Sequence, residues 1–544
     1  MDFQRLFLFL IFSFSLMMVW DGWQRYQHPQ AEKITTAAKT DLPAATLKAT
    51  DAASQAILVK QLVKPASGKV IRVKTDFLDA QINTLGGDIQ RLDFLKQADG
   101  QDKSINFVLF DKGVGSHGYI TQSGLLGENM PNHTSLFISE QDSYELKEGA
   151  DKLQVRLAAV ESNGIKVTKL LTFHRASYVV DVAYEIENNS PVAVTPSAYY
   201  QFVRDSVDPA GGSRMVPTFT GAAVYTEKEK FQKIAFSDID KGKVEYPKKS
   251  DNGWVGMLQH YFVAAWMPAD KAEREFFTRK LENGLYSSGV VVAVPSIAAG
   301  QHTAISVPLY AGPAESNLDD IAPGLGLTVD YGWLTVIATP LFWVLTFIQG
   351  LVHNWGVAII VLTLLIKIIF FPLSAASYRS MAKMRLVAPK LEKIKKQYAD
   401  DREQLNRAMM ELYKTEKINP LGGCLPVMIQ IPVFIALYWS ILASVELRNA
   451  PFFGWISDLS AADPYYVLPI IMGVSMLIQS KLNPAPPDPM QAKLMKIMPV
   501  AFSVVFFFFP AGLVLYSIVN NVLSITQQWY ITRGIEVEGA AAKR

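Results

Sequence analysis

A single lysine, Lys367, lies inside the apolar run Val361–Phe370 (VLTLLIKIIF), and Thr363 shares its helical face four positions earlier. A cation at the centre of a bilayer costs about 2.5–3.5 kcal/mol on insertion scales, so such a residue usually has a function. It could attract a negative or polar guest, or it could activate a nucleophile such as Ser517 in a Ser–Lys dyad. Without either chemistry, its side chain could extend to the membrane surface about 10 Å away.

Further polar side chains fall within the neighbouring apolar segments. Gln430 lies in the middle of one segment, and Ser517, Asn520 or Asn521, and Ser524 recur at helical spacing in another. Each of them alone could simply hold helices together by hydrogen bonds. The apolar segments after residue 355 contain no Asp or Glu that could pair with the lysine. We therefore predict a hydrated groove in which the lysine and these polar side chains face a common space.

Other kinds of chemistry have little support in the sequence. There is no phosphate-binding P-loop, no HExxH or other metal-ligand spacing, and no G-x-S-x-G motif around Ser517. We therefore expect no cofactor, no metal ion and no enzymatic activity. The single cysteine, Cys424, excludes an intramolecular disulfide. The net charge of +2 gives no electrostatic preference for nucleic acid.

The composition indicates a membrane protein that carries a folded domain outside the bilayer. Of 544 residues, 50% are hydrophobic, which is high for a soluble protein, while 19% charged residues are too many for a bare helical bundle. Leu6–Trp20 follows Arg5 and precedes no small-x-small cleavage site, so we interpret it as an uncleaved signal anchor. The polar segment of residues 29–66 lacks apolar periodicity and is predicted to be a disordered tether.

Residues 69–322 show the two-residue alternation of β-strands. VIRVKTDF and DKLQVRLAAV alternate, and Asn163-Gly164 lies between two strand-like runs, as in a β-hairpin. About 250 residues of short strands predict a large sandwich-type domain. Aromatic residues such as Tyr199, Tyr200 and Phe202 are predicted to belong to its core.

The topology follows from charge and parity. Residues 377–420 contain eleven Lys or Arg against six Asp or Glu, so this segment is predicted to be cytoplasmic. With the β-domain outside, one span must lie between Tyr331 and Ser377. Gly356–Ser374 is the better candidate, and Trp333–Val352 is predicted to be an interfacial helix on the outer surface.

The predicted fold is an α-helical polytopic membrane protein with six spans and both termini inside, with a large extracytoplasmic all-β sandwich-type domain between spans 1 and 2. The predicted segments are residues 1–20 (signal anchor and span 1), 21–66 (flexible tether), 67–325 (β-sandwich domain), 326–352 (interfacial amphipathic helix), 353–375 (span 2), 376–420 (cytoplasmic basic helical hairpin), 421–444 (span 3), 445–464 (outer loop), 465–480 (span 4), 481–496 (cytoplasmic loop), 497–530 (spans 5 and 6, joined at Pro510–Gly512) and 531–544 (cytoplasmic tail).

The basic cytoplasmic segment shows helical periodicity twice, separated by Ala399-Asp400-Asp401, which predicts an antiparallel helical hairpin. Its cationic faces could rest on anionic lipid headgroups, or they could bind a cytosolic partner such as a ribosome or a targeting factor. The candidate docking residues are Arg379, Lys383, Arg385, Lys393, Lys395 and Lys396.

Four strings in the C-terminal half closely resemble the YidC/Oxa/Alb family of membrane-protein insertases. They are SMAKMRLVAPK, INPLGGCLPVMIQIPVFIALY, DPMQAKLMKIMPV and FFFFPAGLVLY. The signal anchor, the large β-domain and the five further spans resemble the Gram-negative branch of that family. The resemblance extends over the whole chain and is strongest over Asp330–Arg533.

The resemblance implies an insertase and chaperone of the bacterial inner membrane, with a periplasmic β-domain. Its expected partners are nascent membrane proteins, the Sec translocon, ribosomes or targeting factors at the hairpin and tail, and anionic lipids. The family's groove carries an arginine where this chain has Lys367, which keeps the charge but loses the planar fork of donors. Thr363, Gln430 and Tyr516 fall at other groove or substrate-path positions of the family.

Two other functions remain open at this stage. A secondary transporter or channel could use a polar cavity, although the sequence shows no inverted repeat. A membrane-tethered carbohydrate binder or enzyme would place the activity in the β-domain. Deletion of about residues 62–322 separates these possibilities, because an insertase should remain active and a tethered binder should not.

Overall fold

We describe the protein from a computed structural model. It describes residues 42–43, 68–100, 102–113, 118–209, 219–269, 271–315, 317–398, 401–416, 425–482 and 489–541. The predicted signal anchor and nearly all of the predicted tether lie outside the described residues. All elements named below belong to one compact unit, Ala44–Arg544.

The N-terminal half of this unit is built from strands. In chain order they are β1 Val70–Lys74, β2 Leu78–Asn83, β3 Asp88–Ala98, β4 Asn106–Asp111, β5 Tyr119–Leu126, β6 Phe137–Ser139, β7 Ser143–Glu145, β8 Lys152–Ala159, β9 Ile165–His174, β10 Val179–Asn188, β11 Ser197–Arg204, β12 Gly221–Thr226, β13 Lys230–Ala235, β14 Lys249–Ser250, β15 Trp254–Gln259, β16 Phe262–Trp266, β17 Arg274–Lys280, β18 Tyr286–Ala293 and β19 His302–Pro313. One short helix, α1 Phe236–Asp240, interrupts them.

The strands form two sheets that pack face to face. The first sheet has the order β14-β17-β18-β11-β5-β4-β3-β2-β1-β7, and the second has the order β13-β12-β15-β16-β19-β10-β9-β8-β6. Neighbouring strands are antiparallel except for β1 and β7. Inward-facing residues of both sheets join one apolar core. This arrangement confirms the predicted all-β domain of two sheets.

The local sequence explains much of this architecture. In β9 the residues with odd numbers from Ile165 to Phe173 are buried, which is the alternation of a strand with one face in the core. The turn before β9 contains Asn163 and Gly164 with φ of 51° and 73°, which Asn and Gly tolerate best. Tyr200 and Phe202 are fully buried, as predicted for core aromatics.

One buried ion pair lies between the sheets. Lys169 occupies an inward-facing position of β9, where its side chain is 1% exposed, and its Nζ donates to Asp88 Oδ1 at 2.8 Å and to the carbonyl of Gly86 at 2.9 Å. The backbone N–H of Ser123 also donates to the Asp88 carboxylate, at 3.1 Å. Burial raises the pKa of Asp88 to about 6, against the opposing effect of the Lys169 ammonium.

A second buried titratable group, His133, lies close to this pair and is held neutral. The hydroxyl of Tyr199 accepts a hydrogen bond from the His133 backbone N–H at 3.1 Å. The same hydroxyl lies 2.5 Å from His133 Nδ1, to which it donates, so the ring proton is assigned to Nε2. Burial lowers the pKa of His133 to about 4, and the nearby Arg279 and Lys169 act in the same direction.

The C-terminal half is helical. Its helices are α2 Thr335–Val352, α3 Trp355–Ile369, α4 Phe371–Gln397, α5 Arg402–Thr415, α6 Leu425–Ala443, α7 Val467–Leu482, α8 Pro489–Phe506 and α9 Ala511–Ala541. Helix α9 continues beyond the predicted last span into the segment predicted to be a tail.

Identifiable residues end and begin these helices. His353, with φ of 54°, terminates α2, and Asn354 caps α3 by accepting a hydrogen bond from the Val357 backbone N–H at 3.0 Å. Helices α3 and α4 meet at Phe370 with a bend of 67°, and Pro372 occupies the first turn of α4. Helix α8 ends at Phe506, and α9 begins at Ala511 directly after Pro510, whose carbonyl accepts from the Val514 backbone N–H at 3.1 Å.

Among the described residues, one helix, α2, is both long and apolar enough to cross a membrane by itself. Helices α3 and α4 meet the same criterion only as a bent pair. Helix α7 and the apolar parts of α6 and α8, Gln430–Ala443 and Ile497–Phe506, are shorter apolar helices.

The β-domain rests on the loop that follows α6. The Arg448 guanidinium lies over the rings of Phe107 and Phe262, at 5.3 Å and 5.4 Å from their centroids. Burial lowers the pKa of Arg448 from its usual range. At the rim of this contact, Lys103 Nζ donates to the carbonyl of Ser457 at 3.2 Å. The β-domain is therefore packed directly on the helical region.

Candidate functional site

Lys367 lies in the last turn of α3, where the carbonyl end of the helix favours a cation. Its side chain is only 7% exposed, and its Nζ donates to Ser524 Oγ of α9 at 2.7 Å. Among the described residues no carboxylate pairs with it. The chain thus holds a buried ammonium group among uncharged partners.

The acceptor Ser524 is itself fixed within α9. Its hydroxyl donates to the carbonyl of Asn520 at 2.7 Å, one turn earlier. The Asn520 side-chain oxygen in turn accepts a hydrogen bond from Gln430 Nε2 of α6. Because these bonds join α3, α9 and α6, the three helices are tied together around the lysine.

A small pocket opens beside these groups. Its walls combine apolar side chains with three polar ones, and they are Ile366, Lys367, Phe370, Leu373, Ser374, Gln430 and Val433. The pocket thus lies among α3, the first turn of α4, and α6. The structure brings Lys367, Gln430, Asn520 and Ser524 together at or beside this pocket.

The remaining predicted groove residues lie differently. Thr363 and Ser517 are buried, and their hydroxyls donate to carbonyls of their own helices, Ile359 at 2.6 Å and Leu513 at 2.8 Å. Their polar groups are therefore already satisfied within α3 and α9.

Asn521 faces another helix. Its Nδ2 donates to Ser475 Oγ of α7 at 3.2 Å and approaches Met472 Sδ at 3.6 Å. Of the two adjacent asparagines, Asn520 contacts the lysine site, and Asn521 joins α9 to α7.

Tyr516 is 1% exposed and packs against Phe434 of α6 with ring centroids 6.4 Å apart. Its hydroxyl is buried and makes no hydrogen bond of normal geometry within the described part of the chain. The Gln430 side chain is its polar neighbour. Tyr516 therefore lies behind Gln430, and it is not one of the residues that line the pocket.

Three polar residues of this region were not predicted from the sequence. Gln528 is 2% exposed and donates to the carbonyl of Leu482 at 3.2 Å. Its position four residues after Ser524 continues the polar stripe of α9, so the signal was present in the sequence. Ser374 and Ser475 carried no such signal, because isolated serines are common in membrane helices.

The predicted docking residues lie on α4. Arg379, Lys383, Lys393 and Lys396 are exposed. The side chain of Lys395 lies outside the described residues.

Arg385 is half-buried and donates to the carbonyl of Leu482, at the C-terminal end of α7, at 3.2 Å. It therefore ties the basic hairpin to the bundle, where cations stabilise a helix terminus. Apolar contacts among Val387, Leu391 and Tyr413 hold α4 against α5.

In chemical terms the site offers one cation, several hydrogen-bonding groups and an apolar surround. A guest that carries a carboxylate or polar backbone groups could exchange its water shell for these contacts. Among the described residues, the only side chain with a basic nitrogen bonded to Ser524 is Lys367, and the Ser524 hydroxyl already donates to the Asn520 carbonyl. The arrangement therefore suits binding better than nucleophilic catalysis.

Comparison with known proteins gives matches over the whole chain. The family described as "YidC periplasmic domain" matches residues 70–344, and the family described as "60Kd inner membrane protein" matches residues 347–538. A protein named "Membrane protein insertase YidC" from Methylobacillus flagellatus is 56% identical, covering 100% of this chain and 99% of the relative. Its namesake from Aromatoleum aromaticum is 54% identical, covering 100% of both chains.

A solved structure described as "Active YidC insertase crystal structure with the first transmembrane domain resolved" aligns with 86% of this chain and 95% of that one, at 18% identity and a TM-score of 0.39. The family assignment rests on the sequence matches. They confirm the resemblance and the location predicted from it, the bacterial inner membrane with a β-domain in the periplasm. The chain belongs to the YidC family of membrane protein insertases.

Proposed function

We propose that this protein inserts nascent membrane proteins into the bacterial inner membrane through a hydrophilic groove centred on Lys367. The names of its relatives, each a membrane protein insertase, support the activity. The main structural support for such a groove is the buried ammonium of Lys367, which bonds an uncharged partner and lies beside a small pocket. The proposal includes no nucleotide hydrolysis by this chain, because its sequence contains no phosphate-binding P-loop.

The proposed topology has six spans with both termini in the cytoplasm. Spans 2 to 6 correspond to α3, α6, α7, α8 and α9, and the predicted segment boundaries are retained. Helix α2 is proposed to lie on the outer surface, despite its sufficient length, because a second crossing before α4 would bring the basic hairpin outside. One face of α2, with Trp343, Phe347 and Leu351, is exposed and apolar, as an interfacial helix requires.

The proposed mechanism begins at the cytoplasmic side. A polar or acidic tail or loop of the substrate enters the pocket, where Lys367 and Gln430 replace part of its hydration. The apolar segment that adjoins it passes into the bilayer along the side of the groove, and hydrophobic transfer together with the membrane potential drives release.

The proposed partners act at the cytoplasmic side and in the membrane. The exposed cations of α4 and the end of α9 would receive ribosomes or targeting factors and contact anionic lipids. Larger substrates would be handled together with the Sec translocon.

The test is insertion into liposomes that contain the purified protein and no nucleotide. The substrate is a single-span protein with an acidic translocated tail. Lys367→Glu should lower the insertion rate about tenfold or more, because losing about 1.4 kcal/mol of attraction in the rate-limiting state has that effect. The matched variant Lys367→Arg keeps the charge and should insert at close to the normal rate. Normal insertion by the glutamate variant would rule out the proposed role of the charge.

A further inference from the structure

A second cavity lies where the β-domain meets the outer end of α6. Its volume is about 330 Å³. The lining residues come from the β-domain, from the linker that leads into α2, and from α6, and they include Phe219, Leu258, Phe262, Thr328, Trp439 and Leu442. This size is at the lower end for a ligand site and suits a lipid headgroup better than a whole lipid.

The cavity has an apolar floor and a charged mouth. The charged groups are Lys233 of β13 and Asp330 of the linker, which pair with each other and remain partly exposed, at 30% and 46%. The Lys233 ammonium also lies 5.3 Å from the centroid of the Phe219 ring. The mouth therefore presents one positive and one negative group side by side.

The other titratable residue of the lining adds no charge. His260 Nε2 donates to the carbonyl of Leu442 at 3.0 Å, which fixes the ring against the end of α6. Burial lowers the pKa of His260, so the ring is neutral at neutral pH. The electrostatic character of the pocket thus depends on Lys233 and Asp330.

The position of the cavity relative to the membrane follows from the helices beside it. Trp439 lies one turn before Ala443, the last residue of α6, and Asp330 precedes the apolar helix α2 by a few residues. Tryptophan is typical of the level at which lipid headgroups begin. If α6 spans the bilayer as proposed above, the mouth of the cavity lies at the headgroups of the outer leaflet, and this step rests on the proposed topology.

We propose that this cavity binds the headgroup of a zwitterionic phospholipid of the outer leaflet. The phosphate would bond the Lys233 ammonium and the lipid ammonium would bond the Asp330 carboxylate, so one exposed ion pair becomes a cluster of four alternating charges. The glycerol region would lie over Phe219 and Trp439. An anionic headgroup that lacks the ammonium would leave Asp330 facing a phosphate, which is unfavourable.

The experiment uses the full-length protein in nanodiscs of equal parts phosphatidylethanolamine and phosphatidylglycerol. After mild detergent extraction, native mass spectrometry counts the lipids that remain bound. We expect the unaltered protein to retain several-fold more phosphatidylethanolamine than Asp330→Asn does. Lys233→Gln should also lower phosphatidylethanolamine retention, whereas phosphatidylglycerol bound at the cationic faces of α4 should be the same in all variants.

Lys228→Gln is the matched control, because Lys228 is a 90% exposed cation just before β13 and is absent from the cavity lining. It should retain lipids as the unaltered protein does. Equal retention of phosphatidylethanolamine by the unaltered protein and by Asp330→Asn would overturn the proposal. A photocrosslinker at position 219 that captures nascent polypeptide instead of lipid would also overturn it.

The failure of this proposal can be distinguished from a failure of the insertase groove. Lys367→Glu should insert poorly and still retain phosphatidylethanolamine, because Lys367 lies near the opposite end of the helical region. If Lys367→Glu inserts normally while Asp330→Asn changes the bound lipid, the headgroup site stands and the groove does not.

Discussion

Two buried lysines of this protein are accommodated in opposite ways. Lys169, between the β-sheets, is 1% exposed and bonds the Asp88 carboxylate and the Gly86 carbonyl. Lys367, between the helices, is 7% exposed and bonds the hydroxyl of Ser524. In the β-domain the charge is neutralised within the fold, whereas in the described helical region no carboxylate pairs with the cation. Lys169 is thus a structural cation, and Lys367 is the one that the proposed function assigns to the substrate.

The same substitution at the two lysines should therefore have opposite consequences for stability. Lys169→Met leaves the Asp88 carboxylate buried without its cation and should lower the free energy of unfolding by about 3–5 kcal/mol. Lys367→Met leaves no buried counter-charge, and the Ser524 hydroxyl keeps its bond to Asn520, so stability should be unchanged or higher. Thermal unfolding of the full-length protein in detergent, followed by circular dichroism, measures both.

Insertion assays complete this pair of variants. Lys367→Met should insert acidic-tailed substrates poorly, while any folded Lys169→Met protein should insert them normally. Equal losses of stability at the two positions would remove the distinction between the two lysines. The double variant Lys169→Met with Asp88→Leu should recover most of the lost stability, since it removes both buried charges.

A second experiment measures how the buried, neutral His133 of the β-domain makes the free energy of unfolding depend on pH. The folded-state pKa of His133, about 4, lies below its ordinary value of 6.5, so the unfolded chain binds more protons between these pH values. His133 therefore contributes stability that is complete above about pH 6.5 and is lost as the pH falls toward 4, on the order of 3 kcal/mol.

His133→Gln should abolish this contribution. The difference in unfolding free energy between the variant and the unaltered protein, measured from pH 7 to pH 4, isolates His133 from the other groups, because their contributions cancel. Glutamine can still accept a hydrogen bond from Tyr199. A difference that does not change with pH would show that His133 is not held neutral.

The smallest expected effect concerns two neighbouring positions on α9. After Cys424→Ser, a cysteine at position 520 should react with a membrane-impermeant maleimide from the cytoplasmic side about tenfold faster than one at position 521. The reason is that Asn520 belongs to the lysine site while Asn521 is 8% exposed against α7. Equal labelling rates in inside-out vesicles would contradict a groove that opens on the Asn520 side only.

Sequence periodicity identified the polar stripe of α9, but it could not tell which of Asn520 and Asn521 faces the lysine. Asn520 and Asn521 are adjacent and about 100° apart around the helix, so both fit a stripe that begins at Ser517. Which of them meets the lysine depends on the positions of α6 and α7, and only tertiary packing sets these. The two-sheet β-domain was predictable because its strands alternate over many residues, which is a local signal.

For the buried pair Lys169–Asp88 of the β-domain, the sequence predicts that the lysine is buried but not which residue it pairs with. The alternation of β9 places Lys169 on the same face as Ile165 and Val167, so its burial could be read from the sequence. Its partner could not, because Asp88 is 81 residues earlier and lies in the other sheet. Pairings of this kind depend on how sheets are stacked, and no short pattern encodes that.

The contact between the β-domain and the loop after α6 has a consequence for the order of assembly. Lys103 and Ser457 are 354 residues apart in the chain. The β-domain is complete only at Pro313, the last residue of β19, which precedes Ser457 by 144 residues. At 5–20 residues per second, a ribosome needs roughly 7–29 s to cover this distance. During this interval the β-domain can fold, but the loop after α6, on which it packs, has not yet been synthesised. Docking of the β-domain is therefore a late step in the biogenesis of this protein, because it requires the loop that follows α6.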